Sequence, residues 1–179
     1  MKQALLIIDV QNDYFKNGKM ELEHPEEALE KINKLEEKFL KLNLPIIYIQ
    51  HINYKKDASF FSPNTRGVQL HEKLKVSTDS IIIEKHFPNS FKDTTLLGTL
   101  KKLKIEQIVI SGMMTHMCID STTRAAAELN YNPILISDTT ATRSLLYIEE
   151  KVSAKQVQIS YLSALQNFAT LETTEEFLG

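Results

Sequence analysis

The sequence predicts an α/β fold built on a parallel sheet with helices on both faces. Three observations carry that prediction. Short apolar runs recur at Ala4 to Val10, Pro45 to Gln50, Ser80 to Glu84, Gln107 to Ile110 and Ile134 to Ser137, as expected of strands buried on both sides. Stretches of helical apolar spacing lie between them, so strand and helix alternate. Several runs also end at a chemically capable residue, namely Asp9, His51 or Lys85. In open α/β sheets the carboxyl edge is where ligands bind.

Taken in order, the first strand carries Asp9 near its end. A buried carboxylate needs partners, so Asp9 either bonds loop amides or serves a site. Gln11 to Gly18 reads as a polar loop. Pro25 to Lys41 reads as a helix: Pro25 suits the first turn, and Glu26 and Glu27 suit the positive dipole end. Leu29, Ile32, Leu35, Phe39 and Leu42 form its apolar stripe. His51 follows the second strand as a metal ligand, an acid–base group or a pocket wall. Asn53 to Glu72 has little periodicity, and loops of that length are usually lids or binding segments. Its Phe60 and Phe61 line a pocket, anchor the loop or meet a second subunit.

Lys85 closes the third strand. Asp93 is placed to cap a helix over Thr94 to Leu103. The fourth strand, Gln107 to Ile110, leads into Ser111-Gly112-Met113-Met114-Thr115-His116-Met117-Cys118 and then a helix through Leu129. Asp138, after the fifth strand, is expected to bond backbone amides near the site. Ser153 to Asn167 is a helix with Val157, Tyr161, Leu165 and Phe168 inward. Phe168 to Leu171 suits a sixth, edge strand, and Thr173 to Glu176 suits a cap opening a last turn.

Composition narrows the function. At 179 residues the chain is expected to form one domain, 1–179. A formal net charge of −2 and the lack of a basic block argue against nucleic acid and anionic membranes. One cysteine excludes an intrachain disulfide and fits a reducing, cytoplasmic setting. There is no glycine-rich phosphate loop, paired-cysteine site or HExxH motif, so no cofactor or metal is expected.

Cys118 is the residue the chain turns on. A lone cysteine is most often a small buried hydrophobe. This one sits where a strand turns into a helix, where unpartnered N–H groups and the helix dipole favour a thiolate and can hold an oxyanion. Asp9, Lys85 and Cys118 lie at strand ends that share one rim. Lys85 is expected to favour the thiolate, and Asp9 to take the thiol proton and return it to a leaving amine. Tyr14, His51 and Phe91 are expected as walls of the substrate pocket.

These residues resemble the isochorismatase-like cysteine hydrolases. The anchors are Leu6 to Tyr14, Ile83-Glu84-Lys85, Gly112 to Cys118 and Ser137 to Ala141, spread over nearly the whole chain. The resemblance implies a Rossmann-like, three-layer αβα sandwich with a six-stranded parallel sheet. It implies a triad of Asp9, Lys85 and Cys118, a cis peptide at Met113–Met114, and an oxyanion hole from the Met114 and Cys118 amides. Isochorismatases proper cleave a vinyl ether and lack the nucleophilic cysteine, so Cys118 points to an amidase acting on a small molecule through a thioester. Nicotinamidases carry an Asp-x-His metal pair where this chain has His51-Ile52-Asn53, which argues against a metal. The Gly-Met-Met-Thr-His-Met-Cys form is nearest to uncharacterised and streptothricin-hydrolase-like members. Family members are commonly homo-oligomers, and the apolar helix surface after Cys118 is a candidate interface. Vinyl-ether cleavage and a non-enzymatic thiol redox sensor stand as alternatives, the second weakened by the lack of a resolving cysteine.

Overall fold

The computed structural model describes residues Met1–Gly179. Its strands are β1 (Gln3–Ile8), β2 (Ile46–His51), β3 (Ile81–Lys85), β4 (Gln107–Met113), β5 (Ile134–Ala141), β6 (Leu145–Tyr147), β7 (Glu150–Val152) and β8 (Thr170–Glu172). Its α-helices are α1 (Pro25–Lys41), α2 (Leu96–Lys102), α3 (Asp120–Glu128), α4 (Ala154–Leu165) and α5 (Thr174–Leu178). Six strands form one parallel sheet in the order β3-β2-β1-β4-β5-β8.

The layers follow from strand periodicity, because successive side chains point to opposite faces. Leu5 and Ile7 of β1 join a core with Leu29, Ile32, Leu35 and Phe39 of α1. Ala4, Leu6 and Ile8 join the other, with Leu96 and Leu100 of α2, Ala126 of α3 and Leu165 of α4. The sheet is thus sandwiched between α1 with α5 and α2 with α3 and α4. No helix is long and apolar enough to cross a membrane.

The bounds of α1 match the sequence reading, with Glu26 and Glu27 in its first turn and Lys38 and Lys41 in its last. Leu42 leaves the expected stripe: it lies past the final turn and is 55% exposed. Asp93 does not cap α2. The chain turns left-handed at Asp93 itself (φ 54), and Thr94 Oγ1 accepts from the Leu96 N–H at 3.2 Å. The cap at α5 is present as a reciprocal box between Thr173 and Glu176, and Ser153 and Gln156 make another at α4.

β4 and β5 run further than their apolar runs, to Met113 and Ala141. Asp138 consequently lies within β5. Its carboxylate accepts from the Thr174 N–H and hydroxyl, each at 2.8 Å, and pairs with Lys31 at 3.0 Å. It ties α5 and α1 to the sheet instead of bonding amides at the site. The sequence reading did not assign the antiparallel β6–β7 hairpin, and the apolar run there, Leu145 to Ile148, is not buried: Leu146, Tyr147 and Ile148 stand exposed at its turn.

Candidate active site

Asp9 follows β1 directly, in a left-handed conformation (φ 53), with its N–H donated to the Ile49 carbonyl at 3.0 Å. Lys85 ends β3, so β2 separates it from β1. With strands about 4.8 Å apart, the gap is one that a four-carbon lysine stem crosses. His51, the last residue of β2, is the register partner of Lys85. Like Ile49 before it and Ile83 on β3, it faces the layer where Cys118 packs.

Cys118 arrives from the other side of β1. Gly112 in β4 has φ +122, and a side chain there would run into the Ile8 carbonyl oxygen. Only glycine allows this close approach of β4 to β1. The Met113–Met114 peptide bond is cis. Thr115–Ile119 then forms a π-helical turn that carries Cys118 and precedes α3. The Met114 carbonyl accepts from the Met117 and Ile119 N–H groups, at 3.0 and 3.2 Å, whereas the Met114 N–H donates to no acceptor in the chain.

The structure brings Asp9, Lys85 and Cys118 together around one ammonium. Lys85 Nζ lies 2.8 Å from Asp9 Oδ2, 3.2 Å from Cys118 Sγ, 3.1 Å from His51 Nδ1 and 3.1 Å from the Phe87 carbonyl oxygen. Its contacts to sulfur, imidazole and carbonyl have hydrogen-bond geometry. The contact to Asp9 is an ion pair off those directions, which leaves both carboxylate oxygens buried without a directed hydrogen bond. Asp9 and Lys85 are fully buried, and the His51 side chain is 15% exposed.

The electrostatics set burial against the charge of Lys85. Burial raises the proton affinity of Asp9, but the charge of Lys85 first, with the nearby His51 and Cys118, outweighs it and holds the carboxyl below its usual range. For Lys85, burial works against the charge, and Asp9 more than restores it. The Cys118 thiol is pushed well above its usual range by burial first and Asp9 second, against the pull of Lys85. Burial and Asp9 therefore oppose the thiolate that Lys85 is expected from the sequence to favour. The sequence supplies the neighbouring cation but not the depth of burial.

Oxygen, nitrogen and sulfur ligand atoms of Asp9, His51 and Cys118 lie within 4.8 Å of one another. The trio does not fit a metal ion, because the Lys85 ammonium already sits among the same three atoms. His116 faces away from the sulfur, with Nδ1 2.6 Å from Thr142 Oγ1 and its ring against Tyr161. Burial, and then the charge of Arg143, lowers its pKa to about 4. It anchors the nucleophile turn to the end of β5.

Tyr14 is buried, with its ring 4.7 Å from that of Phe61 and 5.9 Å from that of Phe60. Phe61 also lies 5.8 Å from the His51 ring. Phe91 takes a different place. Its ring stacks on Tyr131 at 6.2 Å, and the Tyr131 carbonyl accepts from Ile108 near the start of β4. It packs the helical layer below the rim and is not a pocket wall.

Two residues that the sequence reading left in a polar loop hold this arrangement. Gln11 is fully buried: Oε1 accepts from the His51 N–H at 2.8 Å, and Nε2 lies 2.9 Å from the His51 carbonyl and 2.7 Å from that of Val68. Asp13 accepts from the Phe61 N–H at 2.7 Å and the Lys19 N–H at 3.1 Å. Gly67 lies so close to Asp13 that a side chain there would overlap the carboxylate. The available signal was that Gln11 and Asp13 directly follow a strand end in an otherwise unpatterned loop.

Comparison with known proteins identifies the family. A family model described as the isochorismatase domain matches residues 3–176. The uncharacterised isochorismatase family protein YddQ of Bacillus subtilis (strain 168) is 43% identical over 179 residues, covering 99% of each chain. A solved structure from Oleispira antarctica, assigned as an isochorismatase hydrolase, aligns with a TM-score of 0.94 at 37% identity, over 99% of this chain and 96% of that one. More distant relatives include a streptothricin hydrolase of Streptomyces noursei, 26% identical over 78% of this chain and 50% of that protein. Nicotinamidase 3 of Arabidopsis thaliana is 22% identical over 78% and 73%. The N-carbamoylsarcosine amidase of Thermoplasma acidophilum, 22% identical with a TM-score of 0.81 over the full length of both chains, shares the fold. The match across nearly every residue places the chain in the isochorismatase family.

Proposed function

We propose that the protein is a cysteine hydrolase that cleaves a C–N amide-type bond of a small molecule through a thioester. The observation that carries this reading is the buried ammonium of Lys85, in contact with both Asp9 Oδ2 and Cys118 Sγ. Cys118 attacks the carbonyl carbon as Asp9 takes the thiol proton. Lys85 steadies the sulfur as its charge develops. The Met114 and Cys118 amides hold the oxyanion. When the C–N bond breaks, Asp9 hands its proton to the departing amine and the acyl group stays on sulfur. Water, deprotonated by Asp9, then attacks the thioester, and a carboxylic acid and the free thiol are released. No cofactor takes part in these steps.

The relative named as a nicotinamidase supports an amide substrate, and the one named as a streptothricin hydrolase supports hydrolysis of a small molecule. The depth of Cys118, 3% exposed, favours a small substrate over a protein chain. Tyr14 and His51 line the approach to it. The exposed apolar turn of β6–β7 supports self-association. The test is turnover of a panel of small primary amides, ureides and cyclic amides by the protein and by Cys118→Ala, with mass spectrometry of the acid-quenched enzyme. An acyl adduct on Cys118, and loss of turnover in Cys118→Ala, are expected. Turnover that survives loss of the thiol rejects the thioester mechanism.

A further inference from the structure

We propose that His51 is a positioning residue that keeps the Lys85 ammonium from donating to Asp9, and so leaves the carboxylate free to act as the base for Cys118. The inference rests on the hydrolase reading for its purpose, but its geometry stands apart from it. An ammonium has three N–H bonds. The three partners in hydrogen-bond geometry are His51 Nδ1, the Phe87 carbonyl oxygen and Cys118 Sγ. These acceptors match the three donors in number. Asp9 Oδ2 is nearer than any of them, at 2.8 Å, yet lies off hydrogen-bond geometry, as an ion pair.

Without the imidazole acceptor, the N–H now aimed at His51 has one strong acceptor within reach, which is Asp9 Oδ2. A directed, charge-assisted hydrogen bond there would lower the proton affinity of the carboxylate. A weaker base takes the thiol proton less readily.

The local structure is built to hold His51 in this role. Gln11 clamps both its N–H and its carbonyl. The β2–β3 register sets it beside Lys85. For Nδ1 to accept from the ammonium, the ring must carry its proton on Nε2. The titratable groups facing the cluster are Asp9 after β1, Tyr14 in the turn that follows, His51 on β2, Lys85 on β3 and Cys118 in the π turn.

The experiment is alkylation of Cys118 by iodoacetamide, followed by mass spectrometry from pH 6 to pH 10, in the wild type, His51→Leu and His51→Asn. Leucine and asparagine have nearly the same shape, and only asparagine offers an oxygen near the position of Nδ1. The expected result is alkylation at neutral pH slower by about tenfold in His51→Leu, the effect of a one-unit change in proton affinity, with His51→Asn restoring most of the rate. His51→Leu reacting as fast as the wild type or faster, or His51→Asn as slow as His51→Leu, overturns the inference. Thermal melts of all three proteins establish that the comparison is between folded chains. Alkylation needs no amide turnover, so a failure of the hydrolase reading leaves this test standing, and the reverse also holds.

Discussion

Lys85 and Asp9 meet at 2.8 Å with neither side chain exposed, across a strand that belongs to neither of them. Two charges removed from water in this way are held mainly by each other, so each is costly to leave alone. Lys85→Met, which strands the carboxylate, is expected to lower unfolding free energy by about 3–5 kcal/mol. Asp9→Asn should be costly for the same reason. The double variant should be more stable than the sum of the two single losses predicts, with a coupling of roughly 1–3 kcal/mol. Urea unfolding of the four proteins measures it, and strictly additive losses would show that the two charges do not stabilise one another.

The same burial sets a pH dependence that isolates the sulfur. Asp9 has a lowered folded pKa, so its contribution is present above about pH 3.9 and lost as pH falls through the folded value. Lys85 has a raised one, so its contribution is present below about pH 10.4 and lost only above it. Cys118 also has a raised folded pKa. Above the ordinary thiol value of about 8.5 the unfolded chain releases this proton while the folded chain keeps it, so stability falls as pH rises. The wild type should lose about 1.4 kcal/mol per pH unit between pH 9 and pH 10 relative to Cys118→Ala. Parallel stability curves for the two proteins over that unit would show that the folded thiol ionises as readily as a free one.

The sequence makes some of this legible and hides the rest for identifiable reasons. Helix α1 is legible to the residue because Pro25, the acidic first turn and the apolar spacing agree. Strand ends are less so: Ser111, Gly112 and Met113 lack an apolar pattern, and their pairing is imposed by β1 and β5. Asp9, Lys85 and Cys118 stand out because chemically capable residues at the ends of buried strands are conspicuous. The contact of His51 with Lys85 depends on the β2–β3 register, which no single segment encodes. The opposition of burial to the Cys118 thiolate comes from segments far apart in the chain. Phe91 misleads because an aromatic residue in a loop after a strand end carries no mark of whether it faces the rim or the layer beneath.

Asp13 fixes the segment that covers the site. Its carboxylate holds the Phe61 N–H, and Phe61, itself left-handed at φ 57, seats its ring on Tyr14. Asp13→Ala leaves two buried or half-buried N–H groups without their acceptor, at a cost of about 1–3 kcal/mol for each truly buried one. Loss should show locally before it shows globally, as chymotryptic cleavage at Phe60 or Phe61 under conditions where the wild type stays intact. Equal resistance of the two proteins would mean that the aromatic packing alone holds this segment down.

Gly112 and Gly98 make opposite predictions for the same substitution. At Gly112 the backbone is left-handed, and a methyl group would meet the Ile8 carbonyl oxygen, which is backbone and held in the sheet by the β1–β4 register. Neither strand can yield without moving Asp9, the residue after Ile8. Gly112→Ala should therefore cost more than about 2 kcal/mol, as expected when strain and a backbone clash coincide, and should slow alkylation of Cys118 by displacing its base. At Gly98, inside α2, a methyl group would meet nothing within 4 Å. Gly98→Ala should stabilise by roughly 0.5–1 kcal/mol, through reduced freedom of the unfolded chain and better helix propensity. Urea unfolding of the pair tests the close approach directly: a Gly112→Ala protein as stable as the wild type would show that β4 and β1 need no glycine between the nucleophile turn and the acid.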